Sequence, residues 1–217
     1  MRSPPPCYAR GMSELSRRAL LLGSVGAALS PRVVRAQPRE AVAVIPLGAF
    51  PDELLREIER GIAAELGAAV LVQPAIPLPR SAFYPPRGRY RAERILDHLR
   101  PRVRPPATRI LGVTQADIST TAHGVRDWGV LGYGDVAGTA CVISTFRCRM
   151  NSPSEAQTRF RMVTTCIHEV GHTLGLAHCP DTSCLMTDAR GSVRTVDRTS
   201  GRLCARCRRL AGLAPRA

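Results

Sequence analysis

Eleven consecutive residues, His168-Glu169-Val170-Gly171-His172-Thr173-Leu174-Gly175-Leu176-Ala177-His178, constrain this chain more than any other feature. Residues four apart share one face of a helix, so a helix through this segment points His168 and His172 the same way and offers two nitrogens to a single metal ion. Gly175 comes three residues later and, lacking a Cβ, can take the left-handed conformation that ends a helix and turns the chain back. That turn brings His178 in as a third ligand. Three protein ligands leave the fourth position of a tetrahedral zinc to water, whose pKa the metal lowers from 15.7 to about 7. Glu169, next to the first ligand, is placed to take the water's proton and pass it to a leaving amine. Three of the chain's five histidines fall in this segment, and a methionine, Met186, follows shortly downstream.

A second constellation begins where the first ends. Cys179 directly follows His178, Cys184 comes five residues later, and Cys204 and Cys207 form a C-x-x-C pair near the C-terminus. Four thiolates in two pairs suit a closed tetrahedral zinc with no open position, hence a structural site. It would fasten a short arginine-rich tail to the end of the active-site helix, because so small a segment buries little apolar area of its own. Two disulfides joining the same cysteines are the alternative in an exported protein.

The run H-E-x-x-H-x-x-G-x-x-H-C-x4-C-x-M-x17-C-x-x-C, from His168 to Cys207, resembles the signature of the archaemetzincins, a family of metzincin-type zinc peptidases, and every fixed position is filled. The resemblance implies His168, His172 and His178 as ligands of a catalytic zinc, Glu169 as general base and Met186 as the Met-turn residue below the metal. It further implies Cys179, Cys184, Cys204 and Cys207 as ligands of a second zinc, giving two Zn2+ per chain. Looser similarity lies upstream, where Ile110 to Ile118 resembles the family's strand entering a loop and Gly129 to Arg147 its edge-strand region.

The N-terminus departs from that family. From Met12, a charged stretch precedes an apolar run, Ala19 to Leu29, that is too short to span a bilayer. Ser16-Arg17-Arg18-Ala19-Leu20-Leu21 resembles a twin-arginine export signal, with leucine in place of the usual phenylalanine, and Val34-Arg35-Ala36 offers small residues for cleavage before Gln37. Residues 1–11 have no role in that signal. Twin-arginine export carries folded proteins, which reconciles a thiolate zinc site with an exported, periplasmic or extracellular destination; a cytoplasmic peptidase with a fortuitous Arg17-Arg18 is the alternative.

The chain has 217 residues, and setting aside residues 1–36 leaves one domain, 37–217, with an N-terminal subdomain of about 41–175 and a C-terminal one of about 176–217. The net charge is +14; residues 1–36 hold six arginines and one glutamate, which leaves about +9. Every basic residue is arginine. Codon bias accounts for that better than nucleic-acid recognition, since aromatic residues for base stacking make up only 4%. A monomer acting on peptide or protein substrates is expected, with no specific nucleic acid and no transmembrane segment.

Hydrophobic patterning predicts an α/β domain with a mixed twisted sheet. Ala41 to Leu47 reads as a buried strand, Pro51-Asp52-Glu53 opens a helix running to Leu66, Ala68 to Val72 is a second strand and Thr108 to Thr114 a third. Pro74 to Arg87 is a proline-rich connection, and Tyr90 to Leu99 a second helix. Thr139 to Thr145 reads as the edge strand above the cleft, able to bond an extended peptide. Ser154 or Ser152 caps the long active-site helix, and Gly201 to Leu213 is a last helix. Cys141, Cys148 and Cys166 remain; a Cys141 to Cys148 disulfide is open, and Cys166 packs on the helix. His123 reads as a solvent-exposed loop residue rather than one facing the cleft. The reading is a metzincin-like zinc metallopeptidase that hydrolyses peptide bonds by Glu169-assisted attack of zinc-bound water. The alternative is a catalytically weak or inactive zinc-binding module with a peptide- or polymer-binding role.

Overall fold

The computed structural model describes residues 40–215, so the export-signal reading lies outside the described residues. In chain order the elements are β1 (Ala41–Leu47), α1 (Asp52–Leu66), β2 (Ala69–Val72), β3 (Phe83–Tyr84), β4 (Arg89–Arg91), α2 (Ala92–Leu99), β5 (Arg109–Thr114), β6 (Ile118–Ala122), β7 (Val125–Val130), β8 (Gly132–Gly134), β9 (Ala140–Ser144), the one-turn α3 (Thr145–Cys148), α4 (Glu155–Thr173), α5 (Val193–Arg198) and α6 (Ala205–Leu210). They build a five-stranded sheet of order β2-β1-β5-β9-β8 and a four-stranded sheet of order β3-β4-β6-β7. Pairing in the larger sheet is parallel except at β8, which runs antiparallel to β9.

Both faces of the larger sheet are covered, which explains why β1 is apolar throughout. Val42 and Val44 point into a cluster with Leu54, Ile58 and Ile62 of α1 and Met162, Cys166 and Val170 of α4. Ala43, Ile45 and Leu47 point the other way, onto Ile95, Leu96 and Leu99 of α2. A strand sandwiched between helices loses the polar alternation of a half-exposed one. Cys141, Cys148 and Cys166 are free, buried thiols, so no disulfide joins Cys141 to Cys148.

Three sequence expectations need correction. The β-rich run after Thr139 is an inner strand: β9 pairs with β5 on one side and β8 on the other, so the edge is β8, Gly132–Gly134. Three residues containing two glycines carry too little side-chain signal to read as a strand. Residues Gly201 to Leu213 give a shorter helix than expected, α6, and Val193–Arg198 forms α5, which the sequence reading passed over. The second helix begins at Ala92, since Arg89–Arg91 pair as β4. The hairpin β6–β7 was also missed. The cap of α4 is Ser154, whose hydroxyl accepts from Gln157 N at 3.1 Å, whereas Ser152 Oγ donates to Ser154 O.

Arg161, 2% exposed, ties two parts of the chain to the middle of α4. Its Nε and Nη2 donate to the two oxygens of Asp197 on α5, each at 2.7 Å, and its Nη1 donates to Cys148 O and Met150 O, each at 3.0 Å. The guanidinium thereby holds the Asp197 carboxyl below the usual carboxylate range. Replacing it leaves two carbonyls without their donor and Asp197 with Gln157 Nε2 as a remaining partner at 2.6 Å, so Arg161→Met should lower unfolding free energy by about 3 kcal/mol in a urea titration near neutral pH. Asp197's folded pKa is depressed, so the contribution is present above the unfolded value and lost as pH falls through the folded one. The gap between wild type and Arg161→Met should therefore shrink in titrations below about pH 4.

Candidate active site

The first imidazoles come from the last two turns of α4. His168 and His172 lie one turn apart with ring centroids 4.6 Å from each other. The helix ends at once: Gly175 has φ 89°, its N–H donates to His172 O at 2.9 Å, and Leu176 N–H donates to Gly171 O at 3.1 Å. This left-handed close sends the chain back over the helix end. It carries His178 to centroid distances of 5.4 Å from His168 and 4.9 Å from His172.

One nitrogen of each α4 histidine is already engaged. His168 Nδ1 lies 2.8 Å from Leu185 O, and His172 Nδ1 lies 2.7 Å from Leu176 O. A carbonyl can only accept, so each Nδ1 carries the proton and each Nε2 keeps its lone pair. Ligand atoms of the three rings all fall within 4.8 Å of one another. Zinc–nitrogen bonds of about 2 Å need such a convergence, so the residues present fit a zinc ion. Burial pushes His168 down to about 3 and also lowers His172, which keeps both imidazoles neutral, the form that ligates.

Glu169 is buried and lines the same cleft. Burial raises its carboxyl to about 8; a cation held between the three rings acts in the opposite sense, favouring the carboxylate. The edge strand fixes where it lies. A Cβ at Gly132 would come within 2.6 Å of Glu169 Cγ and 2.7 Å of Oε1, so only glycine lets β8 approach this closely. Met186 is fully buried and packs against Gly171 on α4.

The four other cysteines also converge. Cys179, Cys184, Cys204 and Cys207 place their sulfurs within 4.8 Å of one another, with Cys179 Sγ 3.8 Å from Cys204 Sγ and no disulfide among them. The backbone N–H groups of Met186 and Cys204 donate to Cys184 Sγ at 3.5 and 3.3 Å. Amides aimed at a sulfur suit a thiolate, the ligating form of cysteine. Met186 O in turn accepts from Cys179 N at 2.8 Å, so the loop between the second cysteine and the methionine joins both clusters.

The cleft, about 390 Å³, is walled by β8, by α4 and by residues 187–191. Its lining includes residues that sequence reasoning did not place there: Trp128, Thr164, Thr165, Asp188 and Arg190. His123 is both exposed and part of this lining, its ring 5.2 Å from that of Trp128 at the tip of the β6–β7 hairpin. A histidine in a loop carries no periodicity, so only the missed hairpin could have brought it to the cleft. Tyr133 also lines the cleft, yet it packs toward the α2 cluster.

Comparison with known proteins agrees with this geometry. The model of peptidase family M54 matches residues 64–211. The archaemetzincin of Halobacterium salinarum is 31% identical over 180 residues, covering 77% of this chain and 97% of that protein. Crystallised archaemetzincin from Methanopyrus kandleri superposes with a TM-score of 0.70 at 30% identity, covering 83% of this chain and 97% of the other. That from Archaeoglobus fulgidus, complexed with malonate, gives 0.65 at 29%, covering 78% and 99%. By both its sequence and its fold, the chain belongs to peptidase family M54, the archaemetzincins, and is a zinc metallopeptidase.

Proposed function

We propose that the chain hydrolyses peptide bonds with Glu169 as general base and His168, His172 and His178 as ligands of a catalytic zinc. The observation that carries this reading is one buried carboxylate sharing a cleft with three imidazoles whose ligand atoms converge. Zinc, when bound there, polarises the scissile carbonyl and makes water more acidic. Glu169 takes the proton of the attacking water as its oxygen bonds to the carbonyl carbon, then delivers that proton to the amine nitrogen as the carbon–nitrogen bond breaks. Gly132 leaves the space that the carboxylate occupies. The β8 edge offers backbone groups to an extended peptide, which would lie beside the cleft as a further strand.

Cys179, Cys184, Cys204 and Cys207 are proposed as ligands of a second, structural zinc, making two per chain. Four converging sulfurs, with two amides directed at one of them, support that assignment over paired disulfides. For domain organisation, 37–217 is read as the peptidase, its C-terminal part from about 176 held by this cluster. Among the described residues no helix is long and apolar enough to cross a membrane. We further propose export by the twin-arginine route, on the strength of Ser16-Arg17-Arg18 and the short apolar run after it.

Zinc counts and cleavage of a mixed peptide library test the site. Wild type should bind two zincs, and His172→Ala one, with cleavage lost. Glu169→Gln should keep both and cleave about 10²–10⁴-fold more slowly; a Glu169→Gln protein that cleaves at the wild-type rate would remove the proposed base. A methyl group at position 132 displaces the carboxylate, so Gly132→Ala should keep both zincs while kcat/KM drops by about 10²-fold. Intact-mass analysis of the protein from its native host should show a chain beginning near Gln37; an N-terminus at Met1 or Met12 would contradict export with cleavage.

A further inference from the structure

The three imidazoles are not held alike. His168 and His172 donate their Nδ1 protons to Leu185 O and Leu176 O, carbonyls of two tight turns. Among the described residues no hydrogen bond engages His178 Nδ1, and Asp188 Oδ2 lies 3.8 Å from it, within ion-pair distance and just beyond hydrogen-bond reach. His178 is also the exposed member, with 47% of its side chain accessible, whereas His172 is buried. Packing therefore restrains its ring least, and a polar partner matters most there.

Asp188 is itself pinned. Its Oδ1 accepts Arg190 N–H at 2.9 Å, closing a turn two residues beyond the buried Met186 and leaving Oδ2 free of that backbone bond. Arg190 Nε lies 3.6 Å from the same Oδ2, and His123, from the β6–β7 hairpin, acts electrostatically on this carboxylate. One oxygen thus holds the backbone turn, while the other lies between His178 and Arg190.

We infer that Asp188 is a positioning residue of the histidine site: its carboxylate holds His178 in the tautomer with Nδ1 protonated and Nε2 turned to the metal. By closing the 3.8 Å separation to a hydrogen bond it would serve the exposed ligand as backbone carbonyls serve the two on the helix. A carboxylate behind an imidazole also makes the ring a stronger donor, and loss of such a partner commonly weakens metal binding 10–100-fold. The inference rests on reading the three histidines as a zinc site.

Asp188→Asn separates this role from the turn. Asparagine Oδ1 can still accept Arg190 N–H, but its amide presents a donor to a nitrogen that must itself donate. The experiment titrates the full chain with zinc against a competing chelator for wild type, Asp188→Asn and Asp188→Glu, with thermal unfolding alongside. The expected result is a histidine-site zinc Kd raised 10–100-fold in Asp188→Asn, with the cysteine-site zinc unchanged, Tm unchanged when measured with the histidine site empty, and part of the affinity regained in Asp188→Glu. An unchanged Kd in Asp188→Asn overturns the inference while leaving the zinc site intact. Loss of the cysteine-site zinc, or a Tm lowered with the histidine site empty, in Asp188→Asn also overturns it, because the residue would then be serving the turn. Wild type that fills only the cysteine site defeats the zinc-site reading and the inference together.

Discussion

A single helix can bring two imidazoles to one point, and a third must come from chain that has left the helix. Everything at this site depends on the reversal at Gly175. The left-handed φ of 89° stops α4 within one turn of His172 and lays His178 against both helical rings. The same reversal places Leu176 O against His172 Nδ1, so one turn supplies the third imidazole and orients the second. A β-branched or bulky residue at this φ is strongly disfavoured, which makes glycine the natural occupant.

The returning strand of chain would be loose if nothing held it. Cys179 is bonded to His178 through the backbone and belongs to the converging sulfurs, and its N–H donates to Met186 O. From the far side, buried Glu65 on α1 accepts from Leu203 N at 3.0 Å and from Arg208 Nη1 at 3.3 Å. Arg161 does comparable work from the middle of α4 through Asp197. Segments with little core of their own are thus tied to α1 and α4 by polar anchors, each buried enough to matter.

The site was legible in the sequence because its chemistry is local. His168, Glu169, His172 and Gly175 occupy fixed offsets on one helix and its cap, and Cys179, Cys184, Cys204 and Cys207 stand in spaced pairs that need no tertiary knowledge to notice. The layered α/β core was legible for a similar reason: unbroken apolar runs such as Ala41–Leu47 occur where both faces of a sheet are covered. What escaped was set by tertiary pairing. Gly132–Gly134 forms the edge because β9 is taken up on both sides, a fact of strand order that composition does not record. The β6–β7 hairpin, with polar and exposed positions at Thr121 to Arg126, lacks a clean alternation. His123, Trp128 and Asp188 then reach the cleft only through that hairpin and the turn after Met186.

The cleft therefore has a division of labour along the chain. The imidazoles and the buried carboxylate belong to α4 and its reversal, where Gly171 and Gly175, with Gly132 on β8 against them, leave little room for change. The opposite rim belongs to the β6–β7 hairpin tip and to residues 187–191, much of it exposed. A lineage or a protein engineer can thus redraft what this cleft admits by editing two surface segments, while the three imidazoles and the buried carboxylate stay unaltered.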